Sequence, residues 1–227
     1  MTISLLEKII HIYAKPARVA ILMSGKGSNA DVILRNVHRY PNLNFITICT
    51  DSNNSNAYRL SQRYNKNYYC LNAYITTPAT REAYFQELAA YLSMLKIDGL
   101  IYAGFMKIST ANFVRQFPGI NVHPADLTLC DASGKPKYIG MHAIQNAIKN
   151  GETYLASTAH VVDSEVDCGS PIMLSKPLSL AGKDTNDIYA IHEELKINCE
   201  HTLYPYLLEC LSRGNIKPQA TPYFFNE

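Results

Sequence analysis

Arg18-Val19-Ala20-Ile21-Leu22-Met23-Ser24-Gly25-Lys26-Gly27-Ser28-Asn29 is the stretch whose reading decides the fold. Its first six residues are a short apolar run of the buried-strand type and its last six a turn. Residues 31–40 then carry Val32, Ile33 and Val37 at helical spacing. The same alternation continues outward along the chain. Phe45-Ile46-Thr47-Ile48-Cys49-Thr50 reads as a second strand, followed by a polar turn at 51–55, a helix to about Tyr64 and a shorter strand at 68–71. A strong helix is predicted over 80–95, with Thr80 as N-cap and Ala83, Leu88, Tyr91, Leu92 and Leu95 on its apolar side.

Two further apolar runs, Gly99-Leu100-Ile101-Tyr102-Ala103 and Ile120-Asn121-Val122-His123, complete the first half. Strands alternating with helices through short turns predict an α/β protein with a Rossmann-like, mostly parallel sheet covered by helices on both faces. In such sheets ligands lie off the carboxyl ends of the strands. The second half changes character. Residues 154–162 alternate as one strand, 171–174 form another, and the polar segment 163–170 joins them. A long C-terminal helix is predicted over about 185–212, capped by Asp184 and kinked at Pro205. No repeat or linker divides the chain, so residues 1–227 read as a single domain in which 1–16 form an amphipathic helical extension.

Composition narrows the class. A hydrophobic fraction of 47% and a charged fraction of 18% suit a globular chain rather than a disordered one. The net charge is +2, with basic residues scattered, so there is no basic stripe for nucleic acid and no polybasic membrane patch. The N-terminal apolar stretch is interrupted by Glu7, Lys8 and His11, too charged and too short for a signal peptide or a membrane span. Cys49, Cys70, Cys130, Cys168, Cys199 and Cys210 are widely separated and lack zinc spacing, as expected of reduced thiols in a cytoplasmic protein.

Three constellations carry chemistry. Residues 24–29 offer glycine-borne amides at a helix start, which attract anions, although a plain glycine turn has the same look. Asn121 and His123 alternate onto one face of a strand, where an amide donor and an imidazole can stabilise an oxyanion and move a proton, or where the histidine is simply structural. The acidic segment Asp163-Ser164-Glu165-Val166-Asp167-Cys168-Gly169 reads either as a solvated turn or as the source of a carboxylate that orients His123. Ser28 lacks the second glycine of a nucleophile elbow, which disfavours a hydrolase triad.

Taken in order, the motifs S-G-x-G-S-N, T-R-E-A-Y, A-G-F-M-K-I, N-V-H-P, S-T-A-H-V-V and D-C-G resemble the glycinamide ribonucleotide branch of the folate-dependent formyltransferases, over about residues 18–211. That resemblance implies transfer of a formyl group from 10-formyltetrahydrofolate, as co-substrate, to the amine of glycinamide ribonucleotide, with no metal. It implies catalytic roles for Asn121, His123 and Asp167, with His160 in support. It implies substrate binding by Gly27, Ser28, Asn29, Arg81 and Glu200, and a folate pocket lined by Met106, Lys107, Ile108 and Val162. Small molecules would be the only partners, and the chain would act as a monomer or homodimer.

The sequence also departs from the family pattern. Extra residues at 128–135 follow the N-x-H-P motif, Ser164 and Cys168 replace the usual aspartate and glycine, and Lys196 stands one residue off the register of a substrate-contacting side chain. These changes leave open formylation of another amine, such as an amino sugar nucleotide or an aminoacyl-tRNA. They also leave open hydrolysis of formyltetrahydrofolate, or folate binding without turnover. Cys168 is a poor nucleophile, with no histidine beside it in sequence.

Overall fold

The computed structural model describes residues 4–219 and 221–225. Positions 1–3, the start of the expected extension, lie outside the described residues, as do 220, 226 and 227. In chain order the elements are α1 (Leu5–Tyr13), β1 (Ala17–Met23), α2 (Ser28–Arg35), β2 (Leu43–Thr50), α3 (Ala57–Arg63), β3 (Asn67–Cys70), α4 (Pro78–Met94), β4 (Gly99–Tyr102), α5 (Ala111–Gln116) and β5 (Gly119–His123). The second half adds α6 (Ala143–Lys149), β6 (Tyr154–Leu155), β7 (Thr158–Val161), β8 (Pro171–Leu174), β9 (Leu178–Ser179), α7 (Ile188–Leu195), α8 (His201–Ser212) and β10 (Tyr223–Phe224).

Eight strands form one sheet in the order β10-β8-β7-β5-β4-β1-β2-β3. All neighbours pair in parallel except β7, which is antiparallel to both β5 and β8. The expected mostly parallel sheet is therefore present. Alternation along β1 explains why both faces are covered. Val19, Ile21 and Met23 enter a core with Ile9 and Tyr13 of α1, Ile33 of α2 and Leu203, Leu207 and Leu208 of α8. Ala20 and Leu22 enter the opposite core, against Phe85, Leu88 and Leu92 of α4 and Phe113 of α5. Each fully buried Leu, Ile or Phe contributes about 1.5–3 kcal/mol, so these two layers dominate the stability.

Helix ends depart from the sequence reading in informative ways. α4 begins earlier than expected, and its cap is Thr77 rather than Thr80. Pro78 fits the first helical turn, where no amide partner is needed, and the two threonines bond reciprocally, Thr80 N–H to Thr77 Oγ at 3.1 Å and Thr77 N–H to Thr80 Oγ at 2.9 Å. The long C-terminal helix is capped by Asp187, whose carboxylate accepts the Ala190 N–H at 2.9 Å, instead of by Asp184. Its irregularity is a π-turn at Lys196–Glu200, before Pro205. There the His201 N–H reaches back five residues to the Lys196 carbonyl. Residues 154–162 are not one strand: β6 pairs with β9 in a separate two-stranded sheet, while β7 joins the main one. Alternation alone could not show that the chain changes sheets at Ala156 and Ser157.

The strand order reverses between β1 and β4, so the loops after them diverge, which is where open α/β sheets form a ligand crevice at the carboxyl ends of their strands. The two loops are tied to each other at its base. The Ser24 N–H donates to the Gly104 carbonyl at 3.0 Å, and the Met106 N–H to Ser24 Oγ at 2.9 Å.

Candidate active site

One end of the crevice is the start of α2. Gly27 adopts φ 75°, and α2 has no side-chain cap, so its leading amides face outward unpaired by the helix. The positive φ favours glycine at this turn, and a Cβ there would also press on Met23 Cε at 2.6 Å and Leu60 Cδ1 at 2.7 Å. Asn29 is buried at the second helical position and donates through Nδ2 to Glu200 Oε2 at 2.6 Å. Its Oδ1 is buried without a partner. The π-turn brings Glu200 here, and burial pushes its carboxyl above the ordinary value while the Asn29 amide and Lys196 oppose that shift. A π-turn accommodates an extra residue in a helix, which is where the Lys196 register offset falls. The Lys196 ammonium itself is paired with Glu193.

The other end is built on β5 and β7. Ile120 and Val122 point into the core with α8, which turns Asn121 and His123 to the opposite face. β7 runs antiparallel, with His160 directly across from Asn121. The acidic segment returns over these strands and delivers Asp167, whose Oδ2 lies 3.2 Å from His123 Nδ1 and whose Oδ1 lies 3.6 Å from His160 Nε2. Asp167 sits in left-handed conformation at φ 52°, which aspartate tolerates better than most residues. Gly169 permits the close approach, because a Cβ there would stand 1.9 Å from the Val161 carbonyl oxygen.

Proton positions follow from the partners. His160 Nδ1 is 2.9 Å from the Val161 carbonyl, which can only accept, so that nitrogen carries the hydrogen. His160 Nε2 then accepts from Asn121 Nδ2 at 3.2 Å. Burial lowers the His160 pKa to about 4, which keeps the ring neutral. The Asn121 amide is thereby oriented, and a primary amide has a second N–H left for a ligand. His123 Nε2 donates to the Tyr138 carbonyl at 2.8 Å, while Nδ1 faces the carboxylate. When the ring is protonated, Nδ1 donates to that carboxylate. Burial pulls the His123 pKa down, and the Asp167 charge and the Tyr138 carbonyl push it back up. Both ring nitrogens are engaged, so His123 offers charge and a mobile proton rather than a free N–H.

The expected folate-side residues form a rim on the loop after β4. Met106 is 57% exposed and Ile108 44% exposed, and Val162 packs partly buried in the same cluster as Phe105. Exposed apolar side chains beside polar groups are what a flat aromatic ligand would cover. Lys107 differs: its ammonium is 3.4 Å from Asp51 Oδ2, a carboxylate whose side chain is only 4% exposed. Arg81 lies in the first turn of α4 with its Nε buried and unpartnered.

Three contributors were not legible beforehand. Tyr138 and Gly140 hold the histidine–carboxylate pair through backbone atoms, the Gly140 N–H donating to Asp167 Oδ2 at 2.8 Å, and backbone roles leave no side-chain signature. Ser24 closes the crevice base through its hydroxyl. The extra residues form a hairpin tip, with the Asp131 N–H bonded to the Lys135 carbonyl at 2.8 Å and Lys135 Nζ 3.1 Å from Glu165 on the acidic segment. Burial raises the Cys168 pKa, which disfavours a thiolate. Among the described residues no group of His, Cys, Asp and Glu is placed to hold a metal ion.

A buried imidazole–carboxylate pair beside an oriented amide donor, near the switch point of a doubly covered sheet, gives this α/β fold the acid–base and oxyanion-binding groups of an enzyme. The chain matches the Formyl transferase family over residues 17–205, and it belongs to that family. It is 28% identical over 201 residues to phosphoribosylglycinamide formyltransferase of Escherichia coli (strain K12), covering 88% of this chain and 89% of that protein. It is 30% identical over 210 residues to the trifunctional purine biosynthetic protein adenosine-3 of Drosophila melanogaster, covering 90% of this chain and 15% of that longer protein. Among solved structures, phosphoribosylglycinamide formyltransferase of Bacillus halodurans superimposes with a TM-score of 0.73 at 27% identity, covering 86% of this chain and 94% of that one.

Proposed function

We propose that this protein transfers the formyl group of 10-formyltetrahydrofolate to the amine of glycinamide ribonucleotide, a step of purine biosynthesis. The observation that carries the proposal is the meeting of Asn121, His123 and Asp167, from two distant segments, at one end of a crevice whose other end is an uncapped helix start. By its name one relative above is a phosphoribosylglycinamide formyltransferase and another a purine biosynthetic protein, which supports the choice of amine and of pathway.

In this reading Gly27, Ser28 and Asn29 hold the substrate phosphate on the α2 amides, and Glu200 accepts from the ribose hydroxyls. Arg81, with an unpartnered Nε, stands by for an anionic group. Met106, Ile108 and Val162 cover the folate ring system, and Lys107, neutralised by Asp51, contributes its aliphatic stem. The folate supplies the formyl carbon, carried on its N10.

Charge development then assigns the chemistry. The neutral amine adds to the formyl carbon, and negative charge grows on the formyl oxygen. Asn121 donates its second N–H to that oxygen; losing such a donor costs about 3 kcal/mol. The His123–Asp167 pair accepts the proton released by the new C–N bond, and returns one to N10 as the old C–N bond breaks. No net proton is consumed. Holding two bound reactants in line supplies much of the remaining acceleration.

The described residues form one formyltransferase unit, acting as a monomer or homodimer on small molecules. Six cysteines widely separated in the sequence favour a cytoplasmic setting. The test is direct: the purified protein with 10-formyltetrahydrofolate and glycinamide ribonucleotide should release tetrahydrofolate and formylated ribonucleotide in equal amounts. Release without the amine would mean hydrolysis instead, and no release would refute the proposal.

A further inference from the structure

Tyr204, on α8, is fully buried, yet its hydroxyl does not end in the core. It donates to the Tyr102 carbonyl at 2.5 Å and accepts the Val122 N–H at 3.2 Å. These are the acceptor and donor at the last rung of the β4–β5 ladder, where Tyr102 pairs with Asn121. In the parallel ladder that N–H and that carbonyl face each other across the rung. A side-chain oxygen from another layer touches both of them, at the point where the two strands open into the crevice. Val122 lies between Asn121 and His123, and Tyr102 precedes the loop that carries Met106 and Ile108. One turn earlier on the same helix run, Glu200 holds Asn29.

We propose that Tyr204 is a positioning residue for formyl transfer, its hydroxyl setting the separation and register of the β4 and β5 ends and so the aim of Asn121 and His123. Three substrate-facing segments, the α2 start, the loop after β4 and the end of β5, are referred to one helix through Glu200 and Tyr204. Burial holds the phenol pKa far above its ordinary value, so the hydroxyl stays protonated and keeps both bonds at any physiological pH. The neighbouring Tyr102 phenol is satisfied separately, 2.9 Å from Ser109 Oγ, and does not compete for the rung. Without the Tyr204 oxygen, the Val122 N–H and Tyr102 carbonyl would each lose a buried partner, and the backbone rung alone would hold the strand ends.

This inference rests on the formyl-transfer reading and is tested after it, since turnover by the unsubstituted protein is required first. Tyr204→Phe keeps the buried ring and removes one oxygen. It should lower kcat about 10- to 100-fold, the range expected for a misplacement of catalytic groups by a fraction of an ångström, with KM for both substrates within about twofold (no groups that bind them are lost). The acid limb of the kcat–pH profile should shift, because the His123 surroundings change. Leu208→Ala, which opens a cavity on the same helix without touching the rung, is the control. It should lose stability but keep kcat under conditions where it is folded. Unchanged kcat in Tyr204→Phe, or an equal loss in Leu208→Ala, would overturn the proposal. Should Tyr204→Phe not fold, the unsubstituted protein decides: a Tyr204 hydroxyl proton that exchanges slowly and shows a nuclear Overhauser contact to the Val122 N–H supports the bridge, and fast exchange with no contact refutes it.

Discussion

Asn29 and Glu200 stand 171 positions apart and meet at 2.6 Å, amide to carboxylate, with both side chains buried. The contact fixes the second helical residue of α2 against the π-turn of the C-terminal helix, so the two parts of the chain that would hold the ribonucleotide move as one. Asn29→Ala removes the donor and leaves Glu200 buried alone. KM for glycinamide ribonucleotide is expected to rise about tenfold or more, since a hydrogen bond to a charged group contributes roughly 1.5–3 kcal/mol and 1.4 kcal/mol is a factor of ten. Steady-state kinetics with saturating folate checks this, and an unchanged KM would remove Asn29 from the substrate site.

Glu200 carries its own pH signature. Its carboxyl is raised above 4.5 by burial, so the folded protein favours the protonated form. By linkage, the stability this group contributes is complete below its unfolded pKa and is lost as pH rises through the higher folded value. Glu200→Gln keeps an acceptor for Asn29 and cannot ionise. Its denaturation free energy should equal or exceed that of the parent at pH 8, with a flatter profile upward from pH 4.5, while affinity for the ribonucleotide falls. A variant markedly less stable at pH 8 would contradict the assignment.

The order of strands and helices was legible because apolar runs and helical spacing report burial directly. Asn121 and His123 were legible for the same reason: period-two alternation requires them to share a face once Ile120 and Val122 enter the core. What alternation could not reveal was how backbone atoms are spent. Tyr138 and Gly140 grip His123 and Asp167 through a carbonyl and an amide that every residue type has. The shift from β6 to β7 and the π-turn that delivers Glu200 depend likewise on tertiary packing rather than local pattern. Motif order reached Glu200 and Asp167 where physical spacing alone could not, because contacts across 171 positions have no local periodicity.

The His123–Asp167 pair predicts a separation of charge from shape. Asp167→Asn fits the left-handed backbone there as aspartate does. It removes the carboxylate that holds the His123 pKa up against burial, so that pKa should fall further, as read by imidazole carbon shifts on titration. Turnover should drop by about 10²–10⁴-fold, the range for loss of a positioned acid–base group. An unmoved His123 titration would show that the two groups do not interact in solution.

Gly169 tests how the carboxylate reaches the histidines. Gly169→Ala places a methyl 1.9 Å from the Val161 carbonyl oxygen, a backbone atom that cannot swing aside. The acidic segment must lift, carrying Asp167 away. Urea denaturation should show a loss of about 1–3 kcal/mol, the range for forcing an extra methyl group into filled space, and activity should fall with it. Full activity in Gly169→Ala would mean that the segment is held otherwise.

On the proposed mechanism one crevice orients a phosphate at the α2 start and a formyl oxygen at Asn121. A crystal structure with glycinamide ribonucleotide and an inert folate analogue that retains the formyl carbon measures both at once. The phosphate should lie on the amides of Gly27, Ser28 and Asn29, and the formyl oxygen about 3 Å from Asn121 Nδ2. A phosphate bound elsewhere, or a formyl oxygen turned away from Asn121 toward solvent, would contradict it.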